Sequence, residues 1–215
     1  MRLRNVPGAK QAVEESPWCV TMPEEYRGQW RSLFGGDGTK PLHLEIGTGK
    51  GRFITEMAGL HPGVLYLGAE KYSSVLCKAI EKQTVAAHPN LRLVRMEAEI
   101  LPEVFAPGEV DRIYLNFSDP WPKARHADRR LPSARFLRLY EQVLVPDGSV
   151  EFKTDNEALF DFALEEVEKA GWRLMACTRD LHRDAVMCEG NVMTEYEERF
   201  SSQGHPIYKF MIQRR

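Results

Sequence analysis

The chain is poor in cysteine, and the four it has follow no pattern: Cys19, Cys77, Cys177 and Cys188 are far apart and form no CxxC pair. That spacing excludes a zinc ribbon, a thiol redox motif and a small disulfide scaffold, and it fits reduced thiols. No apolar run approaches the roughly 18 residues a membrane span needs. The N-terminal MRLRNVPGAK carries charge with no apolar stretch behind it, so the expectation is a soluble, untargeted, cytoplasmic protein with no membrane contact. Excess charge is missing as well: the formal net charge is -2 and the pI about 6.3, so any nucleic-acid surface has to be a local patch. There is no internal repeat and no low-complexity segment, and no metal is expected.

The chain does have enough apolar material for one sizeable core, 43% of 215 residues, but not enough length for a second full domain. Residues 1–20 show no clear periodicity and carry Arg2, Arg4 and Lys10, which reads as a flexible or docking arm ahead of a single domain over 21–215. The turn-rich GGDGTKP at 35–41 precedes the regular part. From there, seven β-rich runs at 42–46, 64–70, 91–96, 110–117, 149–154, 172–177 and 207–212 are separated mostly by amphipathic helical stretches. Ser73 is expected to cap a helix over 74–86, Pro132 to open one over 133–144 before the PDG turn, and Gly171 to close one over 156–170. The fold class is therefore α/β, a seven-stranded and mostly parallel sheet with helices on both faces.

The first run ends in EIGTGKG, which puts Glu45, Gly47, Gly49 and Gly51 at a strand-to-helix turn where glycines let a nucleotide-like ligand approach the backbone. A dinucleotide fingerprint needs GxGxxG, but Arg52 occupies its last position and the pattern here is GxGxG. This favours S-adenosylmethionine over NAD. Glu70 ends the second run about 20 residues later, where an acid in Rossmann-like sheets accepts both ribose hydroxyls. Glu97 follows the third run; a lone acid there is more often a solvated loop residue, but as the third acid at three successive strand ends it is expected to face the adenine end. Glu45 would sit beside the cationic methionine part. Asp119, held between Ser118 and Pro120 at the end of the fourth run, occupies the edge where open α/β sheets bind ligands, so it is the candidate catalytic residue. For Trp121, packing over the core is as good a reading as base stacking.

Together EIGTGKG, NFSDPWPKARHADRRLP, FKTDN and NVMTEYEERFSSQGHPIY resemble the bacterial tRNA (guanine-N7-)-methyltransferase family over roughly residues 20–213. The resemblance implies a class I S-adenosyl-L-methionine-dependent methyltransferase acting on N7 of a guanosine in the tRNA variable loop, as monomer or homodimer. By it, Glu45, Glu70, Glu97 and Asp119 would bind the cofactor. Lys123, Asp155 and the stretch Thr194, Glu195, Tyr196 and Glu197 would bind the substrate, and residues from Arg125 to Arg130 would touch RNA. Two departures are visible: Glu97 stands where such sequences usually carry Asp, and Asp128 where a basic residue is common.

Guanine N7 has an in-plane lone pair and no proton, so methylating it requires alignment and electrostatic support without a general base. An Arg on O6 and N7 would block the nucleophile, so recognition is expected at the N1–H and N2 donors, with Asp119, Asp155 and Glu197 as candidate acceptors. Lys123, Arg125, His126, Arg129 and Arg130 form a basic block that could be only a solvated face, but its position beside DPWP favours a phosphate-gripping loop at the pocket. Thr194 to Glu197 could equally be a helix N-cap and first turn. Two other readings stay open on the residues: a methyltransferase of this fold with another substrate, and a non-catalytic RNA-binding subunit of the same fold.

Overall fold

The computed structural model describes residues 6–36 and 38–214. Arg2 and Arg4 of the expected arm and Asp37 of the turn lie outside the described residues. The strands are β1 Cys19–Val20, β2 Leu42–Ile46, β3 Leu65–Glu70, β4 Leu91–Arg95, β5 Val110–Asn116, β6 Leu144–Thr154, β7 Arg173–Thr178 and β8 Tyr208–Gln213. The helices are α1 Ala9–Glu14, α2 Arg52–Leu60, α3 Ser73–Ala86, α4 Leu101–Val104, α5 Ala134–Val143, α6 Glu157–Lys169, α7 Ala185–Cys188 and α8 Glu195–Ser201.

The strands form one sheet in the order β1-β4-β3-β2-β5-β6-β8-β7. Pairing is parallel throughout except that β8 lies antiparallel between β6 and β7. Successive strands step from β2 out to β4 and then return to β5 on the other side of β2. The gap between β2 and β5 at their carboxyl ends is thus the topological switch point where such sheets bind ligands.

The sheet has eight strands where seven were expected. The extra one, β1, pairs Cys19 with Leu93 and Val20 with Val94, and two residues are too few for alternation to show in a sequence. Residues 9–20 are correspondingly ordered and are no free arm. Val13 of α1 and Cys19 of β1 are buried with Leu76, Ala79 and Ile80 of α3 and Leu93 of β4. Burial pushes the Cys19 thiol up to about 11, which keeps it protonated and unreactive.

Boundaries of the expected helices differ from expectation by one residue. Ser73 is the first helical residue of α3, and Tyr72 takes the cap position without a side-chain bond. Ser133, not Pro132, precedes α5. Asn156 caps α6, its side chain accepting from Leu159 N at 2.8 Å, and Gly171 follows the helix at φ 74. The PDG segment lies inside β6, where the register with β5 jumps from Val110–Leu144 to Arg112–Ser149.

The larger core covers one face of the sheet, with Trp30, Phe105, Phe136, Phe152 and Phe160 among its buried side chains. The opposite face meets α2, through Phe53, Ile54 and Met57, and α3. The α7–α8 connection between β7 and β8 supplies Val192 to the α2 cluster. No helix among the described residues is long and apolar enough to cross a membrane.

Candidate functional site

A cavity of about 660 Å³ opens at the carboxyl ends of the central strands, within the size range of small-molecule sites. Gly47 from the β2 turn, Glu70 from β3, Glu97 after β4 and Asp119 after β5 all line it, as do Trp121 and Arg129. Glu45, Gly49 and Gly51, expected beside the cofactor, are not in this lining: Glu45 is bonded to Asn116 and Gly49 to Glu70, which are, and Gly51 packs on Ala79.

The glycine turn is held by its own backbone. Gly47 N and Thr48 N both donate to Ala69 O, at 2.8 and 3.0 Å. Gly51 is at φ 81, and a Cβ there would lie 2.6 Å from Ala79 Cβ. It is therefore a close-contact glycine between the turn and α3. Glu70 ties the same turn to the next: Oε2 accepts from Gly49 N at 3.2 Å and Oε1 from Tyr72 N at 2.9 Å. Burial raises its pKa against those bonds.

Glu45 is 1% exposed. Thr48 Oγ1 donates to one carboxylate oxygen, and Asn116 Nδ2 donates to the other at 2.8 Å. Burial nevertheless pushes Glu45 up to about 7, against those bonds and the nearby charge of Lys153. On the cavity wall, Asn116 Oδ1 and Ser118 Oγ are buried without a hydrogen-bond partner among the described residues. An unpaired buried acceptor costs about 1–3 kcal/mol, and a ligand with N–H or O–H donors would remove that cost. A carboxylate poised to ionise beside two orphaned oxygens fits a ligand bearing an ammonium and a sulfonium.

Asp119 is exposed at the cavity rim. Phe117 at φ 52 and Trp121 at φ 40 flank it, and positive φ at bulky residues is strain of the kind that collects at ligand-binding loops. The basic block follows as a 3₁₀ turn, Ala124–Arg129, with Lys123 in the cap position. Its members divide. Lys123 and Arg125 are exposed, and Arg129 lies 5.1 Å over the Trp121 ring at the cavity. His126 packs edge-on against Trp121, while Arg130 donates to Trp121 O at 3.1 Å and covers Phe162 at 4.3 Å. Both therefore support Trp121 from within the chain, and Trp121 is half-buried and lines the cavity, serving packing and site together.

The substrate stretch also divides. Tyr196 is 44% exposed, its ring 5.1 Å from Phe117 and its hydroxyl 3.5 Å from Asp155 Oδ2. Thr194 is the N-cap of α8, its Oγ1 accepting from Glu197 N at 2.9 Å. Glu195 pairs with Lys82 Nζ at 2.7 Å. Glu197 departs from its expected part as a guanine reader. It is 0% exposed, with Lys153 Nζ 2.8 Å from Oε2 and Asn191 Nδ2 2.8 Å from Oε1, so both oxygens are occupied. Asn116, Ser118, Phe117 and Lys153 were not singled out from the sequence. Asn116 and Ser118 flank a strand end and could have been read there, but a buried lysine on a strand gives no signal.

Residues 39–210 match the model of a family described as putative methyltransferase. The tRNA (guanine-N(7)-)-methyltransferase of Lachnoclostridium phytofermentans is 54% identical over 98% of this chain and 97% of its own length. That of Bacillus cytotoxicus is 50% identical over 97% and 95%. The chain belongs to the tRNA (guanine-N7-)-methyltransferase family. Every site residue from Glu45 to Glu197 falls inside the matched segment of this methyltransferase. Among solved structures, the 16S rRNA methyltransferase KamB aligns with TM-score 0.63 at 18% identity, covering 86% of this chain and 91% of that one. A SAM dependent methyltransferase from Aquifex aeolicus aligns with TM-score 0.55 at 14% identity, covering 97% and 94%. At such identities these two establish the α/β methyltransferase fold alone.

Proposed function

We propose that this chain transfers the methyl group of S-adenosyl-L-methionine to N7 of a guanosine in the variable loop of tRNA. The observation that carries the reading is that residues for both halves of the chemistry line one cavity: Glu70 and Glu97 at the ends of β3 and β4, Asp119 and Arg129 in the segment after β5. The near-full-length identity to named relatives supports the choice of tRNA guanosine as substrate.

The cofactor supplies an electrophilic methyl on a sulfonium. Glu70, which keeps the glycine turn in place, would hold the ribose hydroxyls, and Glu97 would face the adenine end. Asn116 Oδ1 and Ser118 Oγ would accept from the donors of the cofactor's amino-acid end. Glu45, bonded to Asn116, balances the positive charge from behind as an anion. No residue has to take a proton from N7, so the rate depends on alignment and on the field of these carboxylates. Asp119 at the rim and Asp155 beside Tyr196 are the acceptors left free for the N1–H and N2 donors of guanine, which must leave its stack to reach them. Lys123, Arg125 and Arg129 grip phosphates beside the cavity, and His126 and Arg130 brace the Trp121 loop that carries them.

Incubation with methyl-labelled cofactor and unmodified total tRNA, followed by nucleoside mapping, tests this directly. All label is expected in 7-methylguanosine of the variable loop, with none incorporated by Asp119→Ala. Label in another nucleoside, or in none, contradicts the proposal.

A further inference from the structure

We infer that Lys153 is a positioning residue for methyl transfer, locking the substrate-facing segments to the sheet, and that Glu197 belongs to this lock and does not read the guanine. The inference rests on the functional reading above and deepens it.

Lys153 is 0% exposed, although an unpaired ammonium is among the costliest groups to bury. Its three donors are all taken: by Glu197 Oε2 at 2.8 Å, Val192 O at 3.0 Å and Asn191 Oδ1 at 3.1 Å. Its ammonium also lies 5.1 Å over the Phe53 ring, in the first turn of the helix that follows the glycine loop. Its own carbonyl accepts from Phe117 N at 2.9 Å, where the strained Asp119 loop begins. One residue of β6 therefore fastens α2, the start of the Asp119 loop, the 191–192 segment and the first turn of α8. The Phe117–Tyr196 ring contact closes the same circuit on the cavity side, and Asp155 is two residues further along the chain. Replacing such a pair by apolar residues often leaves stability unchanged, so its presence calls for a role in geometry.

Glu197 cannot serve both partners. With Lys153, Asn191 and His182 Nε2, 3.3 Å from Oε1, around a fully buried carboxylate, no face is left for a base. What Glu197 presents to the substrate is the position of its neighbour Tyr196.

The test uses the full chain as wild type, Lys153→Met, Glu197→Gln and the double variant, with Asn191→Ala as a milder cut that leaves the ion pair intact. Cofactor binding by calorimetry counts the folded sites, and kcat and KM per folded site are measured on tRNA carrying guanosine or inosine at the target. Each single variant of the pair is expected to lose about 100-fold in kcat/KM, the scale of a small misplacement of reacting groups. The double should be no worse than the weaker single, since both cuts open one lock. Asn191→Ala should lose less, and every variant should keep the wild-type preference for guanosine over inosine. Additive losses, wild-type kinetics in Lys153→Met, or a guanosine preference abolished by Glu197→Gln alone would overturn the positioning role. If the pair variants do not fold, Asn191→Ala decides: full kcat/KM or a lost preference overturns it too. Wild-type protein that forms no 7-methylguanosine overturns the functional reading beneath it, a separate outcome seen before any variant is compared.

Discussion

Glu45 has a consequence that can be measured without any tRNA. Its carboxyl sits at about 7 in the folded chain against an ordinary 4.5, so the folded state holds that proton more tightly than the unfolded state does. Stability without added cofactor therefore falls as pH rises from about 4.5 to about 7. At 1.36 kcal/mol per pKa unit the full loss from this residue is about 3 kcal/mol. Glu70 shifts in the same direction, so Glu45→Gln should show a shallower fall over that window while keeping the part due to Glu70. Urea titrations of both proteins at pH 5 and pH 8 check this; parallel curves would mean that Glu45 ionises in the folded chain as it does in water. The sequence showed that Glu45 stands at a strand end next to a glycine turn. It could not show that Asn116, 71 residues away, would hold it, because that pairing exists only once β2 and β5 are neighbours. For the same reason Glu197 read as a free acid: it is buried against Lys153 of β6, 44 residues earlier in the chain.

At the scale of elements, the glycines of EIGTGKG are not equivalent. Gly47 and Gly51 both have φ near 80, but an added Cβ meets nothing within 4 Å at Gly47 and Ala79 at Gly51. Gly47→Ala should cost only the conformational penalty, about 1–2 kcal/mol. Gly51→Ala adds overpacking of about 1–3 kcal/mol against α3 and should also weaken cofactor binding by displacing the turn. Denaturant midpoints of the two variants check the order, and equal midpoints would contradict the close contact. Where an element is long and periodic, as for β2 to β6 and for α3, α5 and α6, it was legible within one or two residues, apart from the start of β6. Its start was hidden by the PDG turn, which normally signals a loop. The elements α1 and β1 were not legible, because their order comes from packing on α3 and β4 and not from their own pattern.

The whole molecule carries almost no net charge, so its affinity for a polyanion has to come from a few placed cations. Lys123→Ala and Arg129→Ala should each weaken tRNA binding irrespective of its sequence and reduce the salt slope by roughly one unit. Arg130→Ala should lower stability and leave the slope nearly unchanged, since its guanidinium is spent on Trp121 O and Phe162. Binding titrations between low and moderate salt separate the two behaviours; three equal slopes would contradict the division of the basic block. That division was not legible in the sequence, where ARHADRR reads as one cluster. The central claim, that N7 of guanosine is the nucleophile and is not used for recognition, is tested most directly by tRNA with 7-deazaguanosine at the target position. That substrate keeps the N1 and N2 donors and lacks only the N7 lone pair. The account predicts unchanged binding and no methylation. Methyl transfer to the 7-deaza tRNA would contradict it.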